Sequence, residues 1–346
     1  MAMIVEKDIA YCHAAEYDQK LNTLDIYFIP QRPGQLKKPI VVFIHGGGWT
    51  CGDKSFGDDS PLPKWFVDQD CVFVSVNFRL PEHPGSPKAT VYEMVKDIGK
   101  AIKWLTVNGR RFGGKGDGFV LLGYSSGAHL ATLLGTDTTY LKEYRLAPAV
   151  IAGVIGLDVP HLDVPGAMAI IETEQSSYLP QQKQRLAHLH KLFGTTRADQ
   201  EKYSPATYLH RGLCHTSFLL ITTEFINGHR QSLSRNMAVS FLRQLKAFNI
   251  KADHYHVQDL EHSQIIQCFN ERIAIHVLPF LKSIGHQPKM AANVPIGMVG
   301  KAANNIAPEG KVSPQDKMAK LLSEKAFRTA RLKRLIDLGK PTMPLS

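Results

Sequence analysis

Residues 119–131 read Phe119-Val120-Leu121-Leu122-Gly123-Tyr124-Ser125-Ser126-Gly127-Ala128-His129-Leu130-Ala131. Four apolar residues run into a turn of small ones, and helical spacing follows. A serine in a G-x-S-x-G turn between strand and helix sits on a strained corner with its hydroxyl lifted above the sheet. The flanking glycines keep side chains out of the crowded backbone. Ser125 therefore reads as a nucleophile; the bland alternative is a Gly/Ser connection joining two elements.

The elements around this elbow repeat the same logic. Upstream, Pro39-Ile40-Val41-Val42-Phe43-Ile44 and Cys71-Val72-Phe73-Val74-Ser75-Val76-Asn77-Phe78 are apolar runs suited to strands buried on both faces of a parallel sheet. Residues 23–29 alternate enough for an edge strand. A short helix is expected over 63–68 and a longer one over 90–107, where Val91, Met94, Val95, Ile98, Ala101, Ile102 and Leu105 share a face. Downstream, strands are expected over 150–157, 217–223 and 251–257, with helices over 232–248 and 265–284. Strands alternating with helices imply an α/β fold with a mostly parallel central sheet and helices on both faces. Residues 160–210, with helical patches joined by proline and polar residues, read as a small helical cap insertion over the strand ends.

Composition changes after Gly285. Of the net +10 on 346 residues, residues 287–346 hold eleven Lys/Arg against four Asp/Glu, a net +7, which leaves +3 on the rest. The sequence thus divides into an α/β domain over 1–285 and, over 286–346, a linker plus a basic helical C-terminal extension. The nearly balanced main body argues against nucleic-acid binding. Five scattered cysteines (Cys12, Cys51, Cys71, Cys214, Cys268) form neither a disulfide framework nor a zinc pattern. Neither a signal-peptide core nor an uninterrupted apolar stretch long enough for a membrane span is present, so a cytoplasmic protein is expected, without metal or cofactor. The extension leaves open a homodimer or partner contact.

A serine nucleophile requires a base, a group that orients the base, and donors for an oxyanion. In a G-x-S-x-G site the acid follows the serine in the chain and the histidine comes last. Among 15 histidines, His262 lies in the loop between the last strand and the last helix. His254 and His256 lie on the strand itself, His276 within the closing helix, and His129 beside the elbow. Glu224 is the first carboxylate beyond the 217–223 strand, with Asp253 and Asp259 as alternatives. Three glycines end the 39–44 strand in His45-Gly46-Gly47-Gly48-Trp49, where backbone N–H groups can turn toward a bound oxygen. Together with the amide of Ser126, those of Gly47 and Gly48 are the candidate oxyanion donors.

His45-Gly46-Gly47-Gly48-Trp49, then Gly52-Asp53-Lys54, Arg79-Leu80-Pro81, Asp97, Trp104 and Gly123 to Leu130, resemble the α/β-hydrolase superfamily. The branch they resemble holds hormone-sensitive-lipase-like esterases, feruloyl-esterase-like enzymes and arylformamidase (kynurenine formamidase). Glu224 followed by His229-Arg230-Gln231-Ser232 is similar to the arylformamidase acid loop and favours Glu224 over Asp253. The elbow carries Tyr124 and Ser126 where formamidases usually have histidine and alanine. The resemblance implies a metal-independent serine hydrolase with a Ser125–His262–Glu224 triad. Such an enzyme would act on an ester, thioester or N-formyl amide of a small to medium organic substrate through an acyl-enzyme, as an arylformamidase proper or as a secondary-metabolite esterase or thiohydrolase. A small-ligand binding protein on the same fold, or an interaction module built on the basic tail, is the competing expectation.

Overall fold

The computed structural model describes residues 2–286, except 13–17, 19, 57–59, 82, 85–88, 175–179, 210–215, 227–228 and 231–232. Cys214 and the 287–346 extension thus lie outside the described residues.

The strands are β1 (Ile4–Ala10), β2 (Thr23–Phe28), β3 (Ile40–Ile44), β4 (Val72–Val76), β5 (Phe119–Tyr124), β6 (Ile151–Leu157), β7 (Ser217–Ile226), the two-residue β8 (His229–Arg230) and β9 (Ala252–Glu261). They form one sheet in the order β1-β2-β4-β3-β5-β6-β7-β8, with β9 also paired to β7. From β4 through β3, β5, β6 and β7 to β9 every pairing is parallel. Only β1, β2 and β8 pair antiparallel.

The helices are α1 (Pro61–Asp68), α2 (Val91–Asn108), α3 (Ser126–Thr136), α4 (Thr139–Lys142), α5 (Val164–Glu174), α6 (Pro180–Phe193), α7 (Arg197–Glu201), α8 (Pro205–Leu209), α9 (Leu233–Ala247) and α10 (Ala274–Ser283). α2 begins where Glu93 accepts the N–H of Thr90 at 3.0 Å, closing a capping box. Two cores result, one on each face of the sheet. Ile40, Val42 and Ile44 of β3 pack with the apolar stripes of α2, α3 and α9, while Val41 and Phe43 pack with α1 and α10. Because both faces are covered, β3 and β4 are buried along their whole lengths, which is why they read as continuous apolar runs.

Several expectations change. β2 is not the edge: all six of its residues are buried, and β1 covers it on the outside. With Glu6, Lys7 and Asp8 exposed, IVEKDIA lacked the apolar content that marks a strand. β7 runs to Ile226 and β9 to Glu261, beyond the strands expected over 217–223 and 251–257. The closing helix, α10, is shorter than expected, the residues before it forming a π-turn over Phe269–Ile273. The 160–210 insertion holds the four helices α5 to α8. No described helix is long and apolar enough to cross a membrane.

Candidate active site

β5 pairs with β6 so that Tyr124 lies opposite Leu157, and β6 with β7 so that Leu157 lies opposite Ile221. The residues after the first two strands, Ser125 and Asp158, therefore leave the sheet side by side. His262 follows directly on β9, whose last residue, Glu261, pairs with Phe225 of β7. All three side chains emerge at the C-terminal ends of their strands.

Ser125 has φ 54° and ψ −122°, a left-handed position for a residue with a Cβ. Its N–H donates to the carbonyl of Leu157 at 2.9 Å, and its own carbonyl accepts from Ala128 and His129 as α3 begins. The second elbow glycine has a steric cause. A Cβ on Gly127 would lie 2.2 Å from the Ile44 carbonyl oxygen and 2.3 Å from that of His45, both rigid backbone. α3 can start directly behind β3 only because that position is bare.

The serine Oγ donates to Nε2 of His262 at 2.9 Å, and the opposite ring nitrogen, Nδ1, donates to Oδ2 of Asp158 at 2.6 Å. Tyr124 supports the histidine from beside the serine. Its ring lies 5.0 Å from the imidazole, and its hydroxyl donates to the His262 carbonyl at 3.0 Å. Burial, with a further push from Asp158, raises that phenol to about 12, so it remains a neutral donor.

Ser125 and His262 are thus brought together as expected, but Glu224 is not at the histidine. Because β7 extends past it, Glu224 lies inside a strand, not in a loop beyond one. Between the pairs Thr223↔Val257 and Phe225↔Glu261, β9 carries two residues more than β7. This bulge contains Asp259 at φ 54°, whose N–H donates to Oε2 of Glu224 at 3.0 Å. Glu224 therefore holds the bulge that leads into His262, and Asp158 takes the place facing the imidazole. Asp253 and Asp259, the other candidates, both lie within β9. The carboxylate of Asp158 is completely buried. Its backbone, at φ 52°, is tied to β7 by an N–H bond to the Ile221 carbonyl at 2.7 Å. Among the other histidines, His254 and His256 share the hydroxyl of Thr222, at 2.9 and 3.1 Å.

The glycine loop lies against Ser125: a Cβ placed on Gly46 would be 3.0 Å from that of Ser125. Gly47 has φ 125°, and its missing Cβ would overlap the Cys51 carbonyl oxygen at 1.9 Å, so the loop can fold back only with glycine there. Around the missing Cβ of Gly48 there is open space. The backbone N–H groups of Gly47, Gly48 and Ser126 belong to the loop after β3 and to the start of α3, on either side of Ser125. Lys54 anchors the far end of the loop, its Nζ 2.7 Å from both Asp8 and Asp25. Asn77 completes that end, accepting from the Lys54 N–H at 2.6 Å and donating to Asp53 at 2.8 Å.

Trp49, in a strained backbone conformation at φ 64°, donates its indole N–H to Nδ1 of His129 at 3.3 Å. The other ring nitrogen of His129 donates to the Tyr203 carbonyl at 2.8 Å, between α7 and α8 of the cap. Burial lowers His129 to about 4 and keeps the ring neutral, as these two bonds require. Phe193, at the end of α6, packs 5.1 Å from the Trp49 ring. Phe193 and Tyr203, from the segment holding α6 to α8, thereby pack against Trp49 of the glycine loop and its partner His129. Among the described residues no cluster of three or more His, Cys, Asp or Glu could hold a metal ion.

Comparisons with known proteins return esterases. Isoprenylcysteine alpha-carbonyl methylesterase ICME of Arabidopsis thaliana is 35% identical over 127 residues, covering 36% of this chain and 28% of that protein. Esterase LipI of Mycobacterium tuberculosis is 34% identical over 110 residues, 32% of each chain. The chain thus matches only about a third of the length of these relatives. Two solved structures share the fold. Esterase B from Lactobacillus rhamnosis has a TM-score of 0.62 at 19% identity, over 82% of this chain and 86% of that one. The butyrate-bound Est2 esterase of Thermogutta terrifontis has a TM-score of 0.59 at 18% identity, over 83% and 96%. The BD-FAE family model matches residues 24–212. That is more than half of the chain, and the protein belongs to this family, in the hormone-sensitive-lipase-like esterase branch of the α/β-hydrolase superfamily.

Proposed function

We propose that this chain is a serine hydrolase that cleaves carboxylic esters through an acyl-enzyme, with Ser125 as nucleophile, His262 as base and Asp158 as the orienting acid. The observation that carries this reading is the continuous path from the strained Ser125 hydroxyl to His262 at 2.9 Å and on to the buried Asp158 at 2.6 Å. His262 Nε2 accepts the hydroxyl proton as Oγ attacks the substrate carbonyl carbon. The carbonyl electron pair moves onto its oxygen, which meets the N–H groups of Gly47, Gly48 and Ser126. Asp158 stabilises the imidazolium that forms. The imidazolium then returns the proton to the leaving alcohol as the C–O bond breaks. Water, deprotonated by the same imidazole, attacks the acyl-enzyme, releasing the acid and restoring Ser125.

The relatives, a methylesterase and an esterase, support an ester as substrate. Thioesters and N-formyl amides would pass through the same tetrahedral intermediate and are the finer alternatives. The test is a screen of the purified full chain against p-nitrophenyl esters, acyl thioesters and N-formylkynurenine, with fluorophosphonate labelling alongside. Ser125→Ala should remove both labelling and turnover, with kcat falling by about 10⁶. An alanine variant that still turns over substrate would end this assignment.

A further inference from the structure

β7 is a central apolar strand that breaks into three consecutive polar residues, Thr222-Thr223-Glu224, with both threonines fully buried. Polar groups in such a place must be satisfied internally, and each of the three has its own partner. Thr222 bonds His254 and His256, and Glu224 accepts from the bulge at Asp259. Thr223 reaches the active site. Its hydroxyl donates to Asp158 Oδ2 at 2.6 Å, and its backbone N–H points to Oδ1 at 3.3 Å.

From this we propose that Thr223 is a positioning residue of the Ser125–His262–Asp158 site, fixing which edge of the Asp158 carboxylate receives the imidazole N–H. The proposal rests on the hydrolase reading above. An aspartate carboxylate turns about its terminal torsion unless both oxygens are held. Here one residue holds both, and the oxygen that accepts the Thr223 hydroxyl is the one that accepts His262 Nδ1. Threonine suits this task because its branched Cβ restricts χ1, so the hydroxyl is aimed before any ligand arrives. The bond is charge-assisted and removed from water, which makes it stronger than one between neutral groups and leaves no solvent to replace it.

The experiment uses the full chain and compares Thr223→Val, which keeps the shape and removes the hydroxyl, with Thr223→Ser, which keeps the hydroxyl. Fluorophosphonate labelling rate and ester kcat and KM are measured, together with the thermal midpoint. Thr223→Val should label and turn over about 10- to 100-fold more slowly at unchanged KM. Thr223→Ser should stay within about threefold of the parent, since the donor survives. If the valine variant does not fold, Thr223→Ala is judged by the same criteria against the serine variant. A hydroxyl-free variant as fast as the parent overturns the proposal, and so does a serine variant as slow as the hydroxyl-free one. Failure of the hydrolase reading looks different: the parent itself would then go unlabelled at Ser125.

Discussion

Replacing Asp158 by asparagine tests the site at its least expected member, and the surrounding bonds dictate how the amide must sit. The Thr223 N–H can only donate and faces Oδ1, whereas the Thr223 hydroxyl at Oδ2 can turn to accept, so the asparagine oxygen takes the Oδ1 position. Its NH2 then occupies the Oδ2 position, 2.6 Å from His262 Nδ1. An NH2 in that place donates, so Nδ1 must accept and the ring proton moves to Nε2, the nitrogen that has to accept from Ser125. The negative charge beside the developing imidazolium is lost as well.

The same substitution in a serine protease triad lowers kcat by about 10⁴, and a loss of that order, about 5.4 kcal/mol in barrier, is expected here. The paired control is Glu224→Gln, which retains an oxygen to accept the Asp259 N–H and should cost less than about threefold. Steady-state ester hydrolysis and fluorophosphonate labelling of both variants, each checked for an unchanged thermal midpoint, decide the matter. The reasoning is refuted if Glu224→Gln carries the large loss and Asp158→Asn is nearly as fast as the parent.

Two further substitutions probe the frame around the site. Gly127→Ala would put a methyl 2.2 and 2.3 Å from the carbonyls of Ile44 and His45, and backbone on a central strand cannot move aside. A loss of about 3 kcal/mol or more in urea unfolding is expected, and a variant of parental stability would contradict the close approach. His161 is buried against Phe193 and Trp49, and burial lowers it to about 3, so the folded protein takes up its proton less readily than the unfolded chain. The stability that it contributes is present above its unfolded pKa, about 6.5, and is lost as pH falls toward 3. Between pH 7.5 and 5 that loss amounts to about 2 kcal/mol. His161→Phe should therefore flatten the acid limb of a stability–pH curve, and an unchanged slope would show that the ring is not buried neutral.

The strands that build the sheet were legible because a parallel strand covered on both faces must be apolar throughout; β3, β4 and β5 satisfy that requirement and their bounds were found to within a residue or two. β1 was not, since an outer strand with a solvated face has no such requirement, and Glu6, Lys7 and Asp8 hide it. The elbow and the glycine loop were legible for a related reason: few residue types are tolerated by a backbone held at φ 54° at Ser125, or at Gly127, where an added Cβ would lie 2.2 Å from the Ile44 carbonyl oxygen.

The proposed acid was a different kind of problem. The criterion used to find it, the first carboxylate after an apolar strand and between Ser125 and His262 in the chain, is met by Asp158 as well as by Glu224. Asp158 follows Ile151–Leu157 directly and meets the criterion better, because β7 does not stop at Thr223 but continues through Glu224 to Ile226. What concealed this is that a strand's end is defined by its ladder and not by its apolar content. The last residues of β7 are held by pairing to β8 and β9, including the bulge that Glu224 itself supports. Sequence pattern reports what a side chain is buried against, and hydrogen-bond register leaves no trace in it. A carboxylate's position relative to a strand end can therefore be misjudged by three residues even where the strand itself is correctly found. At the end of a parallel strand such a shift decides whether the group faces the active site or the neighbouring backbone.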